Sequence, residues 1–149
     1  MSETISAGHR QLATEEPDNY FAQWSKEATE ARHTVASLGE KLMPQFAADL
    51  VARRAQQAKT LAHIEVPLSD DFLYHVPWTY DLVDHSLSGY TPEYRQQRNV
   101  EHLCEWWFET QPKFRGLKAS AHISHWCFCR YGYVIVRWHP VRDERWQVA

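Results

Sequence analysis

Four side chains able to hold a metal fall within eight positions near the C-terminal end of the chain: His122, His125, Cys127 and Cys129. Zinc takes imidazole nitrogen and thiolate sulfur at the corners of a tetrahedron, so the residue types suit it. The spacing does not. On an extended strand His122 points away from the other three, and successive side chains on one face stand about 6.5–7 Å apart. No C-x-x-C is present to bring paired ligands together over a tight turn. These positions read better as strand residues, with the cysteines packed as small apolar groups, and no cofactor is expected. Only a contribution from His102, Cys104 or His139 across the fold would revive a zinc site.

The same region interleaves cations with large rings. Lys113, Arg115, Lys118, Arg130, Arg137, Arg142 and Arg145 alternate with Phe114, Trp126, Phe128, Tyr131, Tyr133, Trp138 and Trp146. Phosphates call for charge and bases for π-faces, so single-stranded nucleic acid is one ligand class such a surface suits. The run Tyr131-Gly132-Tyr133-Val134 resembles the centre of the RNP1 signature of RNA-recognition domains. It lacks the preceding glycine, and the thirteen residues after Val136 leave no room for the helix and strand that family adds. The competing arrangement is a hairpin whose rings simply face the helices.

Enzyme chemistry has raw material but no frame. Asp81, Asp84, His85 and the Glu101-His102 pair offer acids and bases. None lies in a nucleophile elbow, a Walker loop, a dinucleotide fingerprint or an H-E-x-x-H helix. A small enzyme with a His/carboxylate or His/Cys metal site is therefore an alternative rather than the main expectation. Trp106, Trp107 and Phe108 are successive residues of a predicted helix, where side chains 100° apart cannot all enter one core. Part of that triplet must lie at a periphery, where exposed rings would favour partner binding, or be buried against another element, with the 77–90 segment covering Trp106 as the competing arrangement.

Charge is divided along the chain. Residues 1–112 carry nine Lys/Arg against seventeen Asp/Glu, and residues 113–149 carry seven against two. A basic end on a chain of net charge −3 suits an acidic partner, or neutralises the rest of the fold across a contact. The expected function is that of a small non-catalytic regulatory or accessory protein, of the kind phages and mobile elements encode. It would bind a protein or nucleoprotein partner through Arg130, Tyr131, Arg137, Trp138, Arg142 and Trp146. A single-stranded nucleic-acid-binding module is the first alternative. Three cysteines, two of them only two positions apart, suit a reducing cytoplasm better than a disulfide framework. No run reaches the ~20 apolar residues of a membrane span, and no membrane partner is expected.

The elements that would position these residues make an α+β fold, with helices first and a small antiparallel sheet last. A chain of 149 residues suits one domain, here 18–149 after a flexible tail over 1–17. Phe21, Trp24, Ala28, Ala31, Val35 and Leu38 recur at helical steps, and Gly39 is placed to end that helix. A second helix over about 41–63, with Pro44 in its first turn, would complete a helical hairpin. Residues 63–68 suggest an edge strand closed by Pro67, and Ser69 starts a short helical turn. Thr91-Pro92-Glu93 opens a third long helix to about Thr110. Strands over 117–129 and 133–139, turning at Arg130-Tyr131-Gly132, would form the sheet.

Overall fold

The computed structural model describes residues 17–57, 60–84, 89–127 and 129–139, with side chains from residue 26 onward. The expected tail, apart from Pro17, lies outside this range, as do the side chains of Phe21 and Trp24. By its contacts the chain divides into two units, Met1–His33 and Thr34–Ala149. The first contains the beginning of a helix, α1 (Pro17–Gln56). The second holds the rest of α1, then β1 (His63–Pro67), α2 (Asp70–His75), α3 (Pro92–Thr110), a 3-10 turn (Pro112–Phe114), β2 (Lys118–Trp126) and β3 (Cys129–Arg137). The fold is α+β, with helices packed on a three-stranded antiparallel sheet in the order β1-β3-β2.

The expected helical hairpin is instead one continuous helix. Gly39 and Pro44 both sit inside α1 and neither ends it. Packing outweighs local preference here. Val35, Leu42, Met43, Phe46, Ala47 and Leu50 recur at helical spacing and are all buried in the core. Each fully buried apolar side chain contributes about 1.5–3 kcal/mol, against about 3 kcal/mol for one interior proline. Pro44 stands on the exposed side, where water can reach the carbonyl its missing N–H leaves unpaired. Gly39 is buried because Trp106 of α3 lies against it: a Cβ there would come within 2.5 Å of the indole ring. The cover of Trp106 is therefore α1 rather than the 77–90 segment.

The short helices begin as their capping residues dictate. The Ser69 hydroxyl accepts from the Phe72 amide at 3.1 Å, and the Thr91 hydroxyl accepts from the Tyr94 amide at 3.1 Å. Each satisfies one of the free amides of a first turn. On α3 the apolar side chains Val100, Leu103, Cys104 and Phe108 are buried, and Trp107 is half-buried. Burial pushes the Cys104 thiol well above its ordinary range, with Glu101 and Glu105 adding to the shift, so it packs as a neutral apolar group.

The sheet turns earlier than expected. β2 ends at Trp126, which pairs with Cys129, and Cys127 between them takes a left-handed φ of 55°. Arg130, Tyr131 and Gly132 are strand residues of β3 rather than its turn. Gly132 is required there by closeness, since a Cβ would lie 2.9 Å from Ile123 of β2 and 3.3 Å from a backbone oxygen. β1 pairs with β3 along its whole length, and the ladder is extended by Leu68 N–H to the Gly132 carbonyl and Trp138 N–H to the Ala62 carbonyl.

Candidate functional site

Strand alternation divides the sheet's side chains between two faces. Ile64 and Val66 of β1, Val134 and Val136 of β3, and Ala121 and Ile123 of β2 enter the core with the helices. The residues between them stand on the opposite face. There His63, Arg137 and Lys118 form one row across all three strands, and all three are exposed. The next rows are Glu65–Ile135–Ser120 and Pro67–Tyr133–His122, followed by Tyr131–Ser124 and Cys129–Trp126. Trp126 is 69% exposed and Tyr131 57%. The His122 and Tyr133 rings stack on each other, with centroids 5.1 Å apart and planes inclined by 21°.

Neither edge of this sheet is free along its length. On β2 the outward amides of Ala121 and Ile123 donate to Glu101 Oε2 at 2.8 Å and Gln97 Oε1 at 3.0 Å, both from α3. On β1 the His63 carbonyl accepts from the Gln57 side-chain amide, and Pro67 has no N–H to offer. On β2 such covering blocks strand addition, whereas on β1 Glu65 still turns its N–H and C=O outward.

Like charges directly opposite one another destabilise a sheet. Arg137 and Lys118 in register therefore need a reason, and among the described residues neither they nor the neighbouring His63 has a carboxylate within ion-pair distance. Glu65 is the one acid on this face of the strands. The arrangement can attract an anion at one end and offer π-faces along the remainder.

The six residues nominated from sequence do not form one surface. Tyr131 and Arg137 lie on the open face. Arg130 points to the other side, its guanidinium 5.0 Å from the centre of the Trp78 ring. Trp138 is a core residue, buried and covered by the Arg54 guanidinium at 5.2 Å. Arg54 is itself buried. Arg142 and Trp146 lie outside the described residues. The face adds Lys118, His63, Trp126, Tyr133 and His122, and the signal for them was the strict two-residue period of β2 and β3.

The His/Cys group does not converge either. His122 is on the open face, His125 on the core side, and Cys127 and Cys129 are exposed at the hairpin end. No group of three or more metal-ligating side chains occurs among the described residues.

His125 has a structural task instead. Gln96, fully buried on α3, donates from Nε2 to the carbonyls of Leu73 and Val76, each at 3.0 Å. Its Oε1 must then be the acceptor facing His125 Nε2 at 2.8 Å, which fixes the Nε2–H form of the ring. The ring also stands edge-on to Trp78 at 6.1 Å. Partial burial lowers the His125 pKa, opposed by Glu93 and aided by Arg130. A histidine harder to protonate folded than unfolded adds stability that is fully present above pH ~6.5 and falls as pH drops through the lowered folded value. Thermal unfolding at pH 7.5 and 5.5 should show a smaller acid loss in His125→Gln than in the native chain. Equal losses would remove His125 from the acid response.

The acids and bases of the enzyme alternative come together in part. Asp81, fully buried, accepts at Oδ1 from the Val83 and Asp84 amides at 2.8 and 2.6 Å, and faces His102 Nε2 at 3.1 Å. Glu105 stands 4.0 Å from the other ring nitrogen. Glu101 turns to Arg98 and β2 instead, and His85 lies outside the described residues. No hydroxyl or thiol hydrogen-bonds to His102 among the described residues, and the pair ties the 77–84 loop to α3.

Against known proteins the chain matches no family model, no curated protein and no solved structure. No described helix is long and apolar enough to cross a membrane.

Proposed function

We propose that this chain is a small non-catalytic binding protein, regulatory or accessory in role, that engages an anionic partner with the open face of its sheet. The row His63–Arg137–Lys118 carries the reading, since it sets two cations and an imidazole, none of them ion-paired among the described residues, in register on an exposed face. The covered β2 edge supports it by closing that side of the sheet to strand addition. Exposed Trp, Tyr and Arg are also the residues that most often dominate binding energies.

The reading is tested by purifying the native chain and the double variant Lys118→Glu/Arg137→Glu from the source cells at equal expression, followed by native mass spectrometry. A macromolecule retained by the native chain and lost from the variant is the expected result, with unfolding curves of the two proteins alike. Identical spectra from both would remove the face as the contact.

A further inference from the structure

The rings of the open face narrow the partner. Tyr131 and Tyr133 follow each other at the two-residue step of the central strand, with Trp126 and His122 on the neighbouring strand. That step is about 6.8 Å along a strand, twice the ~3.4 Å rise of stacked bases. Rings so spaced cannot match a stacked duplex, whose bases are in any case closed to a flat surface. They match bases splayed apart, each resting on its own ring. Aliphatic side chains are scarce on the same face, where Ile135 stands almost alone among rings, cations and serines. A protein partner would find little there to fill an apolar core, whereas bases need only π-faces and phosphates only the cations.

Resting on the binding reading above, we infer that the open sheet face binds single-stranded nucleic acid, with the His63–Arg137–Lys118 row on the phosphates and Tyr131, Tyr133 and Trp126 under the bases. The strand crosses the face from the cationic row toward the β2–β3 turn. Each phosphate contact releases counterions, so affinity falls with salt, while Glu65 and the acidic remainder of the chain weaken binding most at low salt.

The measurement is fluorescence anisotropy of labelled fifteen-nucleotide oligo(dT) and oligo(U), of a labelled duplex of equal length, and of labelled poly-glutamate. The native chain should bind a single strand saturably at 50 mM salt and weaken about tenfold by 200 mM, as a few phosphate contacts require. Tyr131→Ala and Trp126→Ala, both at exposed positions, should each lower affinity about five- to a hundredfold without moving the unfolding midpoint. Lys118→Glu/Arg137→Glu should abolish binding at 200 mM. Duplex binding as tight as single-strand binding, or ring variants with native affinity, would overturn the inference. If neither oligonucleotide binds but poly-glutamate does, and the charge-reversed variant loses it, nucleic acid is the wrong partner while the binding face stands. If nothing anionic binds, both readings fall.

Discussion

Asn99→Ala is expected to destabilise the fold by about 2–4 kcal/mol, a large share of the 5–15 kcal/mol typical of a domain. Asn99 is fully buried on α3 and uses both ends of its amide. Its Oδ1 accepts from the Leu82 amide at 2.7 Å, and its Nδ2 donates to the carbonyls of Pro77 at 2.9 Å and Tyr80 at 2.8 Å. Together with Asp81 and Arg95, this side chain supplies the 77–84 segment with partners that a helix or sheet would otherwise supply. Truncation strands the Leu82 N–H beneath a buried residue, and each buried group left unpaired costs about 1–3 kcal/mol. Water can reach the Tyr80 carbonyl more readily, because Tyr80 is 45% exposed, which sets the upper bound. Asn99→Asp should be no better, since it keeps the acceptor but turns a second oxygen toward two carbonyls. Urea unfolding should show a lower midpoint with an unchanged slope for both variants. A loss below 1 kcal/mol for Asn99→Ala would mean the loop holds itself.

The contrast between Asn99 and Thr91 shows what the sequence could and could not disclose. Thr91-Pro92-Glu93 announced a helix start because capping is local: hydroxyl, amide and proline lie within four residues. The Ser69 cap and the Pro67 strand end were legible on the same terms. Asn99, Gln96, Gln97 and Glu101 gave no such sign. Apart from the Arg98–Glu101 pair, their partners lie seventeen to twenty-nine positions away, and a polar residue in a helix looks like a solvated one until the loop or strand beside it is known. The hairpin failed for a related reason. Gly132 invited a turn because glycine tolerates it, while Cys127 took the left-handed conformation with a side chain. Moving the turn re-sorted the residues after it, which sent Arg130 to the Trp78 side and left Tyr131 and Arg137 on the open face. The candidate site was thus legible in composition but not in membership, because membership depends on strand register and register is a long-range property.

Gly39→Ala is expected to lower stability by about 1–3 kcal/mol, against the usual sign for glycine in a helix. Intrinsic preference favours alanine by roughly 1 kcal/mol, and Gly39 is well inside α1. The added methyl, however, would meet Trp106 at 2.5 and 2.6 Å from two ring carbons, well under van der Waals contact. The indole is rigid and packs beside Trp107 and the core, so it cannot fold away as a long flexible chain would. Either the ring leaves its place or α1 moves from α3. Trp106→Leu alone should also destabilise, by leaving a gap against the Gly39 backbone. The double variant Gly39→Ala/Trp106→Leu should then be more stable than the sum of the two losses predicts, because the methyl occupies part of the space the ring vacates. Such coupling of neighbours is measurable in a double-mutant cycle at the level of 0.5–3 kcal/mol. Additive losses would show that Gly39 is needed for some reason other than the ring. A stabilised Gly39→Ala would show that Trp106 moves at no cost, and the close approach of α1 and α3 would lose its explanation.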